Sequence, residues 1–413
     1  MHRRRDVHAE CQDFFCGAAT FGSARRIEDY GPSRRSQFSA CRKSPVLNIG
    51  MLGAYGPTPC GTSAFSSALA GGLDACGVTV NVVRVADAVP SGSARVVGEL
   101  VVDSAASTAA CAGLLNSNDV VIVHHDEGRH GGPDAAQLLD IVEALEVPTI
   151  LVVHEHAKSA TSQQRSDLER LATPAAQVVV LSESAHTRFC ADVRVDRRKV
   201  LTIPHGATLP PRGPIAKRNR PTMLTWGELR PGKGVERVID VMGDLRQLNG
   251  RPRYVVAGQT PLAADAQAYR DACVERVRSR GLTDAVYFES GCRTMAGLSA
   301  LVRSAAVAVL PYDSTDQAAS AVLADAIANG RPVVATAFPH AVELLSTGAG
   351  IVVDHDDPDA LTAALRSVLT QPRLAGGMAA EARRLAPAMA WSVVANSYRA
   401  AAYSLLSRCE KSA

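Results

Sequence analysis

Short runs rich in valine and isoleucine alternate with helix-forming stretches along most of this 413-residue chain, and a proline-dense segment breaks the alternation once, near the middle. Strand, helix and strand in repeated succession imply a parallel sheet covered by helices on its faces. Before the break, strands are expected at Val46–Leu52, Val78–Val83, Asp119–Val123, Thr149–Val153, Val178–Leu181 and Lys199–Ile203, with a first helix at Ser63–Cys76. The stretch His205–Pro221 carries four prolines and cannot hold a regular element, so a linker is set at 209–221. Beyond it, strands are expected at Thr222–Trp226, Arg253–Gly258, Ala285–Phe288, Val307–Leu310, Pro332–Ala335 and Ile351–Val353. Helices are expected at Val235–Leu248, Leu262–Arg280, Ala296–Ser304, Ala319–Asn329 and Asp359–Leu369. A last helix, Ala388–Leu406, is long enough to cross back onto the first half. The reading is therefore α/β, two Rossmann-like doubly wound domains facing a cleft: 46–208 with 387–413, and 222–386. Ligands of such open sheets lie beyond the carboxyl ends of the strands, although fold alone does not choose the function.

Charge excludes several classes. The chain has 44 Lys and Arg against 41 Asp and Glu, a net +3 that is no nucleic-acid signature. Nine basic and five acidic side chains fall in residues 1–45, so the rest is close to neutral. That segment has something of an organelle leader in its Arg and Ser content but lacks the apolar core of a secretory signal. It is read as a disordered basic extension. No apolar run is long enough to cross a bilayer. The ten cysteines are scattered with no Cys-x-x-Cys pair, which points to reduced thiols and a cytoplasmic protein rather than a disulfide framework or a zinc site.

Five polar clusters follow strand ends. The Gly53–Ser63 loop joins the first strand to the first helix; its glycines and the helix start suit either a ligand loop or a plain tight turn. It is neither Gly-x-Gly-x-x-Gly nor a Walker loop. His124, His125, Asp126 and the segment to Gly132 follow one strand, and His154, Glu155 and His156 follow the next. These groups suit sugar binding or catalysis, a metal, or loop capping; Lys158 stands where a zincin helix would need its second histidine. Trp226–Gly234 supplies Arg230, Lys233 and the amides of a helix start, which can stabilise a departing diphosphate, unless the turn is simply solvated. Finally, Ser314, Thr315 and Asp316 can serve as N-caps. Asp325 lies in an apolar run, where its carboxylate needs a partner such as a ribose hydroxyl or a neighbouring loop.

Taken together these residues resemble the retaining GT-B glycosyltransferases of glycosyltransferase family 4, group 1, from about Val46 to Leu406. Pro59-Cys60-Gly61-Thr62-Ser63-Ala64-Phe65 is similar to a Pro-x-Cys-Gly-Ile-Ala-Thr-Phe loop of one bacterial branch. His125 with Gly131-Gly132 is similar to its His-Glu-Phe-Gly-x-x-Gly-Gly segment, and Ile203-Pro204-His205-Gly206 to its Ile-Pro-His-Gly. Gly227 through Lys233 and Gly234 resembles the diphosphate turn, and Asp325 through Thr336 the Glu-Ala-Met-x-x-Gly-x-Pro-Val-Val-Ala-Thr signature. Two departures stand out: Glu228 replaces an arginine, and Gln317 with Asp325 replaces a glutamate pair eight positions apart.

The resemblance implies a GT-B hexosyltransferase that moves a hexose from a nucleoside diphosphate sugar to a hydroxyl acceptor, a glycan or glycolipid, with retention. His154, Lys233 and Arg230 are the implied catalytic residues. Gly227, Gly234, Gln317, Ala318, Ala319, Ser320 and Asp325 would meet the donor, and Gly61, Thr62, His125 and Asp126 the acceptor. No cofactor or metal and no nucleic acid is expected; peripheral attachment to the inner membrane face stays open. The alternatives are a nucleotide-sugar epimerase or hydrolase of the same fold, a catalytically silent scaffold, and a metal-dependent hydrolase. Donor base and sugar, acceptor and oligomeric state are not encoded in any single residue.

Overall fold

The computed structural model describes residues 46–58, 60–87, 89–126, 135–211, 213, 220–289 and 295–412, all within one compact unit. The extension 1–45, Gly131-Gly132 and most of the 209–221 linker lie outside the described residues.

The first lobe is built on strands β1 (Asn48–Gly53), β2 (Thr79–Val85), β3 (Val96–Leu100), β4 (Val120–His125), β5 (Thr149–Val153), β6 (Gln177–Val180) and β7 (Val200–Thr202). All pair in parallel, in the order β3-β2-β1-β4-β5-β6-β7. Helices α1 (Gly61–Ala75), α2 (Ala105–Leu115), α3 (Ala135–Glu143), α4 (Ser162–Ala172) and α5 (Glu183–Asp192) connect them. The central strands are buried on both faces, as Val120–His125 is throughout, because helices cover each side. Ile49, Met51, Ile122 and Val152 enter the core on one face, and Leu52, Val121, Val123 and Leu151 the core on the other.

The second lobe repeats the plan with β8 (Thr222–Trp226), β9 (Arg253–Ala257), β10 (Val286–Glu289), β11 (Val307–Leu310), β12 (Val333–Thr336) and β13 (Gly350–Val353), in the order β10-β9-β8-β11-β12-β13. Its helices are α6 (Val235–Leu245), α7 (Ala264–Ser279), α8 (Met295–Ser304), α9 (Ala321–Ala328), α10 (Pro339–Leu345), α11 (Pro358–Thr370) and α12 (Pro372–Leu385). Strand order reverses between β1 and β4 in one lobe and between β8 and β11 in the other, which opens a crevice at each carboxyl edge.

Helix α13 (Trp391–Ser412) returns to the first lobe, where Val394, Ala395, Tyr398, Ala402 and Leu405 join the core beside α1. Small residues allow the approach. A Cβ on Gly72 would lie 2.9 Å from Ala395 Cβ, and one on Gly206 would lie 2.4 Å from the Trp391 ring. Ala207 N–H donates to the Met389 carbonyl at 2.7 Å, tying the two inter-lobe crossings together.

Several elements go beyond the sequence reading. β3 is an edge strand with alternating exposure, and α2 is made of small residues, so neither shows a strong period. α4 is polar with only Leu168, Leu171 and Ala172 buried. α3, α5, α10 and α12 are likewise additional. Ser314, Thr315 and Asp316 do not begin a helix: α9 starts later, and Ser320 Oγ is its cap, accepting from Leu323 N–H.

Candidate functional site

In the second lobe the site grows from the β8 exit. Gly227 has φ 106°, and Gly258 passes so close that a Cβ there would meet the Gly227 carbonyl at 1.7 Å. Gly234, at φ 63°, precedes α6, and a Cβ on it would lie 1.7 Å from the Pro311 carbonyl. Glycine alone fits both positions, so the turn is pressed onto the chain leaving β11. One amide of α6 is taken: Val235 N–H donates to Tyr269 Oη at 3.0 Å, and Tyr269 in turn donates to Glu236. Lys233 Nζ lies 4.4 Å from the centre of the Tyr312 ring, which stacks on Phe338. Arg230 faces Glu228 at 3.6 Å, so the residue standing where the resemblance has an arginine draws on the charge of the nearby cation.

The loop after β11 leads to the rest of the implied donor set. Gln317 Nε2 donates to the Ala319 carbonyl at 2.9 Å, and Ala318 and Ser320 are buried. Ser320 N–H donates to His340 Nδ1 at 2.9 Å, fixing the α9 start. Asp325 is half-buried, and its carboxyl has no hydrogen-bond partner among the described residues. Burial pushes its pKa up to about 7.

In the first lobe, α1 begins with Cys60 as cap, its Sγ accepting from Ser63 N–H at 3.4 Å. Burial first, then the Asp126 and Glu228 carboxylates, raise the Cys60 thiol pKa, so it is not a thiolate at neutral pH. Glu228 belongs to the second lobe's turn, so the two loops face each other. Thr62 donates its hydroxyl to Asp126, joining the α1 start to the β4 end, and Gly61 is exposed beside them. His154 N–H donates to the His125 carbonyl at 3.1 Å.

The ring that hydrogen-bonds the His154 ring is that of His124, whose Nδ1 lies 2.9 Å from His154 Nε2. Phe65 meets His124, His154, His205 and Trp391 edge-to-face, with centroids 4.8–5.7 Å away. Burial drives the pKa of His154 and of His205 to about 4 and that of His124 well below its ordinary value, so these rings are neutral. His124, His205, Phe65 and Trp391 were outside the implied site set. Strand parity could have found His124, since β4 and β5 pair in parallel and positions 124 and 154 fall on the face of Ile122 and Val152.

The lobes touch through this site. Ser182 Oγ donates to the Ala318 carbonyl at 2.5 Å, Lys158 N–H donates to Asp316 Oδ2 at 3.0 Å, and Arg188 donates to the Asp316 carbonyl. Glu343, on α10, accepts from Glu183 N–H, Ser184 N–H and Ser184 Oγ at 3.1, 2.8 and 2.5 Å, its carboxylate seated at the positive end of α5. Among the described residues no three His, Cys, Asp or Glu side chains converge to hold a metal, and no helix is long and apolar enough to cross a membrane. An open hollow of about 420 Å³ between β13 and α11 shares no residue with the site.

Residues 212–385 match the family model of glycosyl transferases group 1. Sucrose-phosphate synthase from Thermosynechococcus elongatus is similar over 88% of this chain and 100% of its own, with TM-score 0.68 and 16% identity. HepE of Anabaena, solved in complex with UDP-glucose, is similar over 87% of this chain and 100% of its own, with TM-score 0.68 and 15% identity. The α,α-trehalose 6-phosphate synthase of Burkholderia multivorans covers 88% of this chain and 98% of its own, with TM-score 0.65 and 13% identity. No curated protein matches the chain. The fold is GT-B, and its second lobe has the sequence character of a group 1 glycosyl transferase.

Proposed function

We propose that this protein is a retaining glycosyltransferase that moves a hexose from a nucleoside diphosphate sugar to a hydroxyl acceptor. The observation that carries this reading is the glycine-shaped turn at the α6 start, with Lys233 beside it and, in the same lobe, an Asp325 carboxyl that has no hydrogen-bond partner among the described residues. A diphosphate leaving group is stabilised as its charge builds up by a cation and by helix amides, without a metal. Lys233 supplies that cation; Arg230, shared with Glu228, contributes less. Asp325 accepts hydrogen bonds from ribose hydroxyls, and Gln317 meets sugar hydroxyls with its amide. His154, half-buried at the β5 end, contacts the transferring sugar. The acceptor sits across the cleft near Gly61, Thr62, His125 and Asp126, aligned against the donor where the lobes meet. Without a nucleophilic carboxylate assigned to the sugar, the departing phosphate itself takes the acceptor's proton on the same face. Solved proteins of this fold with UDP-glucose bound support the nucleotide-sugar assignment.

The test is a thermal-shift screen of nucleoside diphosphates and their sugars, followed by turnover with and without EDTA. A raised melting point with one nucleotide series, and turnover that survives EDTA, are expected. No shift with any nucleotide would refute the reading, and activity lost in EDTA and restored by metal would favour a metal-dependent hydrolase. Turnover of donor without acceptor would favour an epimerase or hydrolase.

A further inference from the structure

We propose that His124 is a positioning residue for His154: it donates from Nδ1 to His154 Nε2 and so fixes the proton of His154 on Nδ1, making that histidine a hydrogen-bond donor toward the cleft. The inference rests on the proposed sugar contact of His154 and adds its direction. Two neutral rings whose nitrogens lie 2.9 Å apart must share one proton between them. If His154 donated, the remaining proton of His124 would sit on Nε2, which is buried and has no hydrogen-bond partner among the described residues. An N–H buried without an acceptor is among the rarest and costliest defects of a folded chain. If His124 donates, only a lone pair is left there. Phe65 packs against both rings and holds them at 5.1 Å between centroids, so neither can turn away to find water. With Nε2 of His154 occupied, Nδ1 is the nitrogen left for a ligand, and it carries the proton. The ligand atom facing it must therefore be an acceptor oxygen, so the sugar carries a hydroxyl or ring oxygen there rather than a bare methyl or deoxy carbon.

The experiment is long-range proton–nitrogen correlation NMR on the full chain labelled with ¹⁵N-histidine, at neutral pH, for the wild type, His124→Phe and His124→Asn. Phenylalanine keeps the packing on Phe65 and removes Nδ1. Asparagine places an amide nitrogen close to where Nδ1 was. The wild type should show His154 protonated at Nδ1 alone. His124→Phe should show both tautomers of His154, and His124→Asn should restore the first. A wild-type His154 protonated at Nε2, or exchanging between tautomers, overturns the proposal even if neither variant folds. So does an asparagine variant indistinguishable from the phenylalanine one. Kinetics form the second arm: His124→Phe should weaken use of the sugar donor about tenfold with nucleoside diphosphate affinity unchanged, and asparagine should recover most of it. If the tautomers behave as stated but no nucleotide sugar binds, the positioning stands and the glycosyltransferase reading falls.

Discussion

Asp325→Asn separates a ligand-binding carboxylate from a merely structural one, because the two differ in how stability follows pH. The Asp325 carboxyl has an ordinary pKa of 3.8 and is pushed up to about 7 by burial without a partner. Between those values the folded chain holds a proton on it that the unfolded chain has lost, so stability falls as pH rises from about 4 to 7. At about 1.4 kcal/mol per unit over roughly three units, the wild type is destabilised by about 4 kcal/mol at pH 8 relative to pH 4 on account of this group alone. Asparagine has the same shape and no such dependence. With an unfolding entropy of about 2 cal/mol/K per residue, the variant should gain about 5 °C in melting temperature relative to wild type as pH goes from 4 to 8. Ribose hydroxyls would supply the missing donors, so the wild type should bind nucleotide more tightly as pH rises to 7, while Asp325→Asn binds more weakly at pH 8 and shows no such rise. Thermal melts across that pH range, and calorimetry with nucleoside diphosphate, read both effects. A melting difference that does not change with pH would refute the buried-acid argument. Equal nucleotide affinity would return Asp325 to a structural role.

The other expectations are read with simpler assays. Lys233→Ala should lower turnover by about two orders of magnitude or more with its melting point little changed, because charge on the leaving group goes uncompensated; a normal rate would remove the lysine from the mechanism. Glu343→Ala removes three inter-lobe hydrogen bonds and should weaken the contact between the lobes by about 1–3 kcal/mol. Small-angle scattering should then show a larger radius, and an identical profile with an unchanged KM would contradict the role given to this contact. His154, His205 and His340 have folded pKa values near 4, below the ordinary 6.5, so their contribution is complete above pH 6.5 and is lost as pH falls toward 4. Each costs about 1.4 kcal/mol per unit in that window, opposite in sign to Asp325; a melting temperature that stays flat or rises from pH 6.5 down to 5 would show that these rings are not held neutral.

The two-lobed plan was legible because buried parallel strands such as Thr149–Val153 and Thr222–Trp226 are continuous apolar runs that no other element explains. Elements with weak periodicity were not: β3 is half-exposed, and α10 opens on Pro339 and His340, which read as loop. With α10 went Glu343, whose partners lie some 160 positions earlier in the chain. The tight turn between β8 and α6 was legible from Gly227 and Gly234. What local sequence did not give was that Glu228 lies against Arg230, which is a matter of side-chain direction. The histidines show a subtler case. His124 and His125 are adjacent in sequence but fall on opposite faces of the sheet, and only the strand register joins the former to His154.

The most direct measurement is a crystal structure of the full chain with a nucleoside diphosphate sugar. The account predicts both phosphates against the Gly227–Gly234 turn, within reach of Lys233, and the ribose hydroxyls on Asp325. Phosphates bound elsewhere, with that turn and carboxyl untouched, would contradict it.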